Sequence, residues 1–383
     1  MLSKVFSHNK AVRIGSTYKI HLYLPAFPTH AFYNAIDKFL TLKAETIPIT
    51  IVLSITKACS FTCEHCYQKN DAGEDLPLTT LISAAQEIQD LGISLFDIEG
   101  GEPLLRFKRL TTLLEHLDDR SELWINTTGH TLTAEMAQKL DEAGLYGAMI
   151  SLHHWIPEKH DQFLGRPGSF KIACDAIKLF LKTGIATVIN CCPSQEFIAE
   201  GGIEKMMDLG KQLNVSFIQM IHEKPAGGWL KRGNTLMDEK IIQMLCKQQA
   251  TFNGSRAFSD YPSLSMQVFE SSPKAFGCTA GGVERFYLNA HGEVQPCEFL
   301  NISFGNIQQE PFKKIYNRMR QTFHKPGLHW LCNTENDTIA RFVKEHNITS
   351  FPIKKEYTNE LLRSFKRGNN VKLYEEMKLY EHL

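Results

Sequence analysis

The chain has 383 residues, enough for one large domain with an appendage or for two domains. Its 42 basic and 42 acidic side chains cancel, so no global positive charge indicates a nucleic-acid partner. No apolar run approaches the roughly 18 residues of a membrane span, and the N-terminus lacks the apolar core of a signal peptide. We therefore expect a cytoplasmic protein with no membrane partner. Its ten cysteines are expected to be reduced and to serve as metal ligands or buried thiols.

The first predicted elements lie in an N-terminal extension, residues 1–47. Alternating apolar residues predict a strand over 18–24, and a helical periodicity predicts a helix over 29–42. Neither pattern indicates a function for this segment.

From Ile49 a strand–helix rhythm repeats six times. Predicted strands lie at 49–55, 93–98, 123–127, 148–152, 185–191 and 215–221, and predicted helices at 79–91, 133–143, 169–183, 203–213 and 238–251. Such alternation favours parallel strands joined by right-handed crossovers. The sequence therefore predicts an α/β fold with a partial (β/α)6 TIM-type barrel over residues 48–252. Catalytic groups are expected at the C-terminal ends of its strands.

Three cysteines directly follow the first of these strands. Cys59, Cys63 and Cys66 have the spacing C-x3-C-x2-C, and the aromatic Tyr67 follows the last of them. Three thiolates cannot complete a structural zinc site, which takes four protein ligands. They can hold three irons of a [4Fe–4S] cluster and leave the fourth iron open. The alternatives are a chance group of structural thiols or a partial zinc site.

Polar residues and glycines follow the other strand ends. Gly100 and Gly101 come after the second strand, where two glycines let the backbone approach a ligand closely. Single polar or sulfur-containing residues end the next four strands, and these are Asn126, Ser151, Asn190 and Met220. The pair His153 and His154 follows the fourth strand and is a candidate for proton transfer, the alternative being structural histidines.

A second cysteine group follows the barrel. Cys278 and Cys297 flank a predicted hairpin that turns near Gly292, a helix is predicted over 312–323, and Cys332 comes after it. Beyond this, residues 337–383 are expected to form charged C-terminal helices.

Both cysteine groups resemble those of a known superfamily. The Cys59–Tyr67 loop and the Gly-Gly-Glu-Pro motif at residues 100–103 are similar to those of the radical S-adenosylmethionine (radical SAM) enzymes. The second group resembles their C-terminal SPASM/twitch domain. Because a dense central run of cysteines is absent, it resembles the shorter twitch form with one auxiliary cluster, which we assign to residues 253–336. The resemblance covers roughly residues 49–335.

The resemblance implies an oxidoreductase with three cofactors: a SAM-binding [4Fe–4S] cluster, SAM itself, and an auxiliary [4Fe–4S] cluster. Such an enzyme cleaves SAM reductively and forms a 5′-deoxyadenosyl radical. The radical abstracts hydrogen from a small-molecule or peptide substrate, and oxidation or bond formation follows with help from the auxiliary cluster. A protein such as flavodoxin or ferredoxin would donate the electron.

The resemblance also assigns roles to individual residues. Arg166 takes the place of an arginine that relatives carry two positions earlier, where this chain has Leu164, and His153 stands where relatives carry aspartate. The metal ligands are Cys59, Cys63, Cys66, Cys278, Cys297 and Cys332. The residues expected to bind SAM are Tyr67, Gly100, Gly101, Glu102, Asn126, Ser151, Arg166, Asn190 and Met220. His153 and His154 are the expected catalytic residues.

Several alternatives stay open at this stage. The enzyme could be a ribosomal-peptide maturase, although residues 1–47 are too few for the winged-helix leader-binding domain of many peptide-modifying relatives. That shortage favours a small molecule, or a peptide delivered by another protein. A non-catalytic iron–sulfur electron carrier or scaffold is the alternative of another class. The auxiliary cluster could take its fourth ligand from substrate, solvent, His329 or Glu335, or Cys246 could complete it, or the site could hold zinc.

Overall fold

The computed structural model of the protein describes residues 8–41, 48–232, 238–270 and 276–376. Residue 42 of the first predicted helix and residues 377–383 of the predicted C-terminal helices lie outside the described part. Of the described helices, none is both long enough and apolar enough to cross a membrane.

A nine-stranded sheet organises the described chain. Its strand order is β11-β10-β3-β4-β5-β6-β7-β8-β9, and every neighbouring pair is parallel except β10 with β11. The strands are β3 (Thr50–Ser54), β4 (Leu95–Glu99), β5 (Glu122–Thr127), β6 (Gly147–Ser151), β7 (Ala186–Cys191), β8 (Phe217–Met220), β9 (Ser263–Met266), β10 (Arg285–Leu288) and β11 (Val294–Gln295). All six strands predicted for the barrel are present as β3 to β8. The predicted α/β fold is confirmed, and the sheet of the described residues is open, as in a partial barrel.

Helices alternate with the strands, as the periodicity predicts. Helix Leu78–Asp90, for example, buries Leu81, Ala85 and Ile88, which lie three or four residues apart on one face. The other helices are His30–Thr41, Phe107–Leu114, Ala134–Glu142, Pro157–Leu164, Ser169–Phe180, Gln195–Ala199, Gly202–Gln212, Glu239–Gly254, Gln267–Glu270, Phe312–Thr322, Leu331–Thr334, Asn336–Glu345, Lys355–Leu362 and Lys372–Glu376.

The N-terminal extension differs from its prediction. The strand expected over 18–24 is β2 (Thr17–Lys19), which ends at Lys19 and forms a short antiparallel hairpin with β1 (Val12–Ile14). Lys19 is buried and forms an ion pair with Glu122 of the barrel. Because the buried lysine needs this carboxylate, its side chain fixes the hairpin against the barrel and the strand does not continue.

The sheet extends beyond the six predicted strands at both edges. β9 pairs with β8, although it lies after residue 252, where the predicted barrel ends. β10 belongs to the predicted auxiliary hairpin, yet it pairs in parallel with β3. The strand that leads into the first cysteine loop and the strand that follows Cys278 are therefore hydrogen-bonded neighbours.

The interior of the barrel has an apolar floor and a polar upper layer. Because side chains alternate between the two faces of a strand, inward-facing residues recur every second position. The floor is a buried cluster that includes Leu95, Trp124, Met149, Val188 and Phe217. Two residues further along the same strands, the lining is polar: Asp97, Asn126, Ser151, Asn190 and Gln219. The barrel is therefore closed at the bottom and open toward the C-terminal ends of its strands.

Candidate active site

A cavity of about 540 Å³ lies at the C-terminal ends of β3 to β8. It brings together ten of the residues predicted for the site: Cys59, Cys63, Cys66, Tyr67, Gly100, Gly101, Asn126, Ser151, His153 and Asn190. Side chains from five different strands and the first cysteine loop thus line one cavity, as expected for an active site in this type of barrel.

The three thiols of the first loop lie close enough to influence one another. Burial, with the charges of Cys66 and Cys59 next, raises the pKa of the Cys63 thiol to about 12. Burial likewise raises the pKa of the Cys66 thiol to about 11. Cys59 is exposed and Cys63 and Cys66 are partly buried. Neighbouring thiols whose pKa values are raised become thiolates readily only when a metal centre compensates their charge, because a coordinated thiol is deprotonated. The set therefore fits an iron–sulfur cluster held by Cys59, Cys63 and Cys66.

Gly100 and Gly101 support the entrance of this loop. The amide of Gly101 donates a hydrogen bond of 2.7 Å to the carbonyl of Thr56. A Cβ at Gly100 would overlap the carbonyl of Thr56, and a Cβ at Gly101 would overlap that of Ala58. Neither glycine has a positive φ. Glycine is needed here because two backbones touch, so the motif positions the cysteine loop as well as lining the cavity.

A second pair of glycines supports the exit of the loop. The amide of Gly228 donates a hydrogen bond of 2.9 Å to the carbonyl of Cys66. A Cβ at Gly227 would overlap the carbonyl of Tyr67, and a Cβ at Gly228 would overlap that of Glu64. The segment of Gly227 and Gly228 therefore packs directly against the first cysteine loop.

We expect Gly101→Val to weaken SAM binding while the barrel stays folded. The new Cβ contacts the main-chain carbonyl of Ala58, which can yield only if the cysteine loop moves. SAM affinity should fall by at least about tenfold, or ~1.4 kcal/mol. Titration calorimetry with SAM and far-UV circular dichroism measure the two properties.

Gly254→Val is the matched control, because a Cβ there has no heavy atom within 4 Å and its φ is not in the left-handed region. It should bind SAM as the wild type does. Unchanged SAM affinity in Gly101→Val would show that the position of the loop does not determine the SAM site.

Four predicted site residues lie outside the cavity lining: Glu102, His154, Arg166 and Met220. Glu102 is fully buried and accepts hydrogen bonds from the Thr127 hydroxyl (2.6 Å), the Thr128 amide (2.8 Å) and the Leu104 amide (3.1 Å). Its carboxylate therefore joins the Gly-Gly turn to the end of β5. These bonds show that Glu102 supports the site, and its expected contact with SAM stays a prediction.

The other three residues point away for identifiable reasons. Met220 is in the core because strand alternation turns Gln219 inward instead. His154 stacks on Trp155 with ring centroids 3.9 Å apart. Arg166 donates to the carbonyl of Ser60 at 3.0 Å, so it holds the outer side of the cysteine loop.

His153 lines the cavity as a neutral, constrained side chain. Its Nδ1 accepts a hydrogen bond of 3.1 Å from the backbone amide of Cys192, so the proton of the neutral ring is on Nε2. Burial, with smaller contributions from His65 and His160, lowers the pKa of His153 well below its ordinary value. These contacts favour the structural alternative for this residue.

A smaller cavity of about 80 Å³ adjoins the first, and Cys278, Cys297 and Cys332 line it together. Tyr23, Glu298 and Phe299 line both cavities. Burial raises the pKa of Cys332 to about 11 and that of Cys297 well above its ordinary value. The donor set and its burial fit an auxiliary iron–sulfur cluster.

Lys224 is a buried cation near the auxiliary cysteines. Burial lowers its pKa to about 8, and the charges of the three auxiliary cysteines act in the opposite direction. Its ammonium group lies 3.6 Å from the centroid of the Trp330 ring and 2.8 Å from Nε2 of His222. Lys224 therefore places a positive charge beside the auxiliary thiols.

The predicted candidates for a fourth auxiliary ligand do not line the smaller cavity. Cys246 lies on helix Glu239–Gly254, and the Glu335 carboxylate accepts the Lys366 amide at 2.9 Å. His329 packs against Gly368. Among the described residues, no three His, Cys, Asp or Glu side chains are close enough to surround a single metal ion. The assignment of each cysteine group to an iron–sulfur cluster therefore rests on the fact that its three thiols line one cavity.

Sequence reasoning missed several residues of the site: Asp97, Glu99, Gln219, Lys224, Gly227, Gly228 and Glu298. A usable signal existed for three of them. Asp97 and Glu99 lie two and four positions after the inward-facing Leu95 of β4, and Gln219 lies two positions after Phe217 of β8. Because side chains alternate along a strand, this spacing alone would have placed all three in the lumen. Gly227 and Gly228 carried no such signal, because they contact main-chain carbonyls of the first cysteine loop, about 160 residues earlier in the chain.

Comparison with known proteins agrees with this geometry. The family model of the radical SAM superfamily matches residues 53–193, and that of an iron–sulfur cluster-binding domain, SPASM, matches residues 278–336. The chain is a radical SAM enzyme with a C-terminal SPASM domain. These two domains imply a SAM-binding [4Fe–4S] cluster, an auxiliary iron–sulfur cluster and SAM as cofactors.

Similar proteins include an AdoMet-dependent heme synthase of Methanosarcina barkeri, 25% identical over 70% of this chain and 82% of the relative. The sporulation killing factor maturation protein SkfB of Bacillus subtilis is 24% identical over 70% of this chain and 65% of its own length. Among solved structures, Streptococcus suis SuiB bound to precursor peptide SuiA aligns with a TM-score of 0.58 and 15% identity, covering 74% of this chain and 69% of SuiB. That likeness shows a shared fold.

Proposed function

We propose that this enzyme oxidises, or joins by a new bond, a small-molecule or peptide substrate held in the barrel lumen. The observation that carries the proposal is the convergence of the first cysteine loop, the Gly100–Gly101 pair and the polar layer of five strands on one cavity. When bound, the cluster and SAM supply a 5′-deoxyadenosyl radical that abstracts a hydrogen atom from the substrate.

The residues of the chain bind, orient and enclose the reactants. Cys59, Cys63 and Cys66 would hold the SAM-binding cluster, and Tyr67 with Gly100 and Gly101 would border SAM. Asn126, Ser151 and Asn190 offer amide and hydroxyl groups suited to the polar groups of SAM or substrate. Cys278, Cys297 and Cys332 would hold the auxiliary cluster. The apolar floor closes the lumen to water from below, which limits side reactions of a radical.

All ten cysteines are unpaired, and this suits a reducing compartment. We therefore propose a cytoplasmic enzyme whose electrons come from a small carrier such as flavodoxin or ferredoxin. A peptide maturase is the specific alternative within this chemistry. It is favoured by similarity to SkfB, and shared fold with SuiB is compatible with it.

The experiment compares the enzyme with a non-catalytic electron carrier. Full-length protein is reconstituted anaerobically with iron and sulfide and reduced with dithionite. It should bind SAM in calorimetry and convert it to 5′-deoxyadenosine and methionine, as measured by chromatography. A carrier has no reason to bind SAM, so a fully loaded protein that shows neither binding nor cleavage would reject the enzyme proposal.

A further inference from the structure

The deep part of the lumen is lined by polar groups that lack partners. Asp97 and Glu99 both face inward from β4 and are 4% and 8% exposed, and Gln219 on β8 is 3% exposed. Oε1 of Glu99 and Oε1 of Gln219 are buried and have no hydrogen-bond partner among the described residues. Buried polar atoms are normally paired, so unpaired atoms that line a cavity point to a ligand.

The two amides on this surface have acceptor oxygens without partners. The Asn126 amide nitrogen donates to Asp97 at 2.7 Å, and its Oδ1 has no described partner. The Gln219 amide nitrogen donates to the Tyr23 hydroxyl at 2.5 Å, and its Oε1 has no described partner. Each amide nitrogen thus gives one N–H to a protein acceptor, while both amide oxygens and the two carboxyl groups present acceptors to the lumen.

The carboxyl groups of this surface are buried with little compensating charge. Burial, and next the nearby carboxylate of Glu298, raises the pKa of Glu99 well above its ordinary value, and the same causes raise the pKa of Asp97 to about 7. The charge of Arg285 acts on Asp97 in the opposite direction, but Arg285 pairs with Glu284 and Glu298, and Lys224 is engaged with His222 and Trp330. A bound cation with N–H donors would lower the cost of burying the two acids.

We propose that Asp97, Glu99, Asn126 and Gln219 form the substrate subsite of the lumen and bind a cationic nitrogen group, an amine or a guanidinium. The inference rests on the proposed function and narrows its substrate class. A carboxylate or phosphate group at this position would meet the two carboxyl groups and the unpaired oxygens of Glu99, Asn126 and Gln219, so the subsite disfavours anionic substrate groups. Charge-assisted hydrogen bonds to two carboxylates would provide both affinity and orientation. The cation can belong to a free small molecule or to a Lys or Arg side chain of a peptide.

The test measures binding of four small probes to the SAM-loaded, anaerobically reconstituted protein by calorimetry. n-Butylguanidinium is compared with its neutral isostere n-butylurea. The capped tripeptides acetyl-Ala-Arg-Ala-amide and acetyl-Ala-citrulline-Ala-amide form the matching peptide pair. In at least one pair, the cation should bind at least about tenfold more tightly than its neutral partner. If n-butylguanidinium binds more tightly than n-butylurea, the cation of the substrate belongs to a small molecule. If only the arginine tripeptide binds more tightly than its citrulline partner, the cation belongs to a peptide side chain.

Glu99→Gln should remove that preference, and Asp97→Asn serves as a second variant should the first prove unstable. Glu135→Gln is the control, because it removes one negative charge from an exposed helix far from the cavity and should keep the preference. Equal binding of cationic and neutral probes in both pairs would overturn the proposal. It would also be overturned if Glu99→Gln lost affinity for SAM but kept the cation preference, since the carboxylate would then serve the amino group of SAM.

The same samples separate this inference from the proposed function. SAM cleavage without added probe is measured in parallel. Intact cleavage with no cation preference rejects the cationic subsite alone, and absent cleavage in the loaded wild-type protein rejects the function as well.

Discussion

Cys63→Ala is expected to reduce conversion of SAM to 5′-deoxyadenosine to background. Cys63 is the central thiol of the loop, and both Cys59 and Cys66 influence its pKa. With one of three ligands missing, the remaining two thiolates cannot hold a cube that leaves a single iron open for SAM. Chromatography of 5′-deoxyadenosine measures the activity, and iron analysis measures the loading of the protein.

Cys174→Ala is the matched control, since Cys174 is a partly buried thiol on helix Ser169–Phe180 and lines neither cavity. It should retain wild-type cleavage and iron content. Full deoxyadenosine production by Cys63→Ala would exclude the proposed mechanism of SAM cleavage.

The auxiliary cluster is expected to take three cysteine ligands from this chain. Cys278, Cys297 and Cys332 share one small cavity, and Cys246 does not line it. A variant with alanine at Cys59, Cys63 and Cys66 should therefore keep about four irons per chain. Adding Cys246→Ala should leave the iron content and the charge-transfer absorbance unchanged.

Adding Cys297→Ala to the same triple variant is the opposite control and should remove the remaining iron. Iron loss caused by Cys246→Ala would mean that this cysteine closes the cluster and that no iron is left for a substrate atom. A triple variant that holds zinc and no iron would refute the auxiliary-cluster assignment.

Local sequence patterns predicted the elements of the fold well where each element buries a regular face. β3 to β8 and five of the helices beside them follow from periodicity, and both cysteine groups follow from spacing. Helix Phe107–Leu114, between β4 and β5, was not predicted. β9 was missed because Ser263–Met266 has only four residues, too few for its alternation of serine with apolar residues to stand out from a loop, so its pairing with β8 defines it. The parallel pairing of β10 with β3 joins segments more than 200 residues apart, and no local pattern contains that information.

For the site, the sequence identified residues with suitable binding chemistry, but it did not show which way their side chains point. The motif glycines were predicted for close approach to a ligand, and the structure adds contact with the carbonyls of Thr56 and Ala58. Glu102 and Arg166 are expected to touch SAM, and the structure adds that their hydrogen bonds hold the surrounding loops. A polar residue in a motif can serve the backbone around a site as easily as the ligand inside it, and sequence alone does not separate the two roles.

The pairing of β10 with β3 matters for any attempt to divide the protein into fragments. β3 has β4 on one side and β10 on the other, and it runs directly into the loop of Cys59. Deleting the C-terminal region would leave the amide and carbonyl groups along one side of β3 unpaired. An uncovered strand of this kind is a template for pairing with other chains, so the isolated barrel is expected to aggregate. The chemistry of the two cysteine groups therefore has to be studied in a single intact polypeptide.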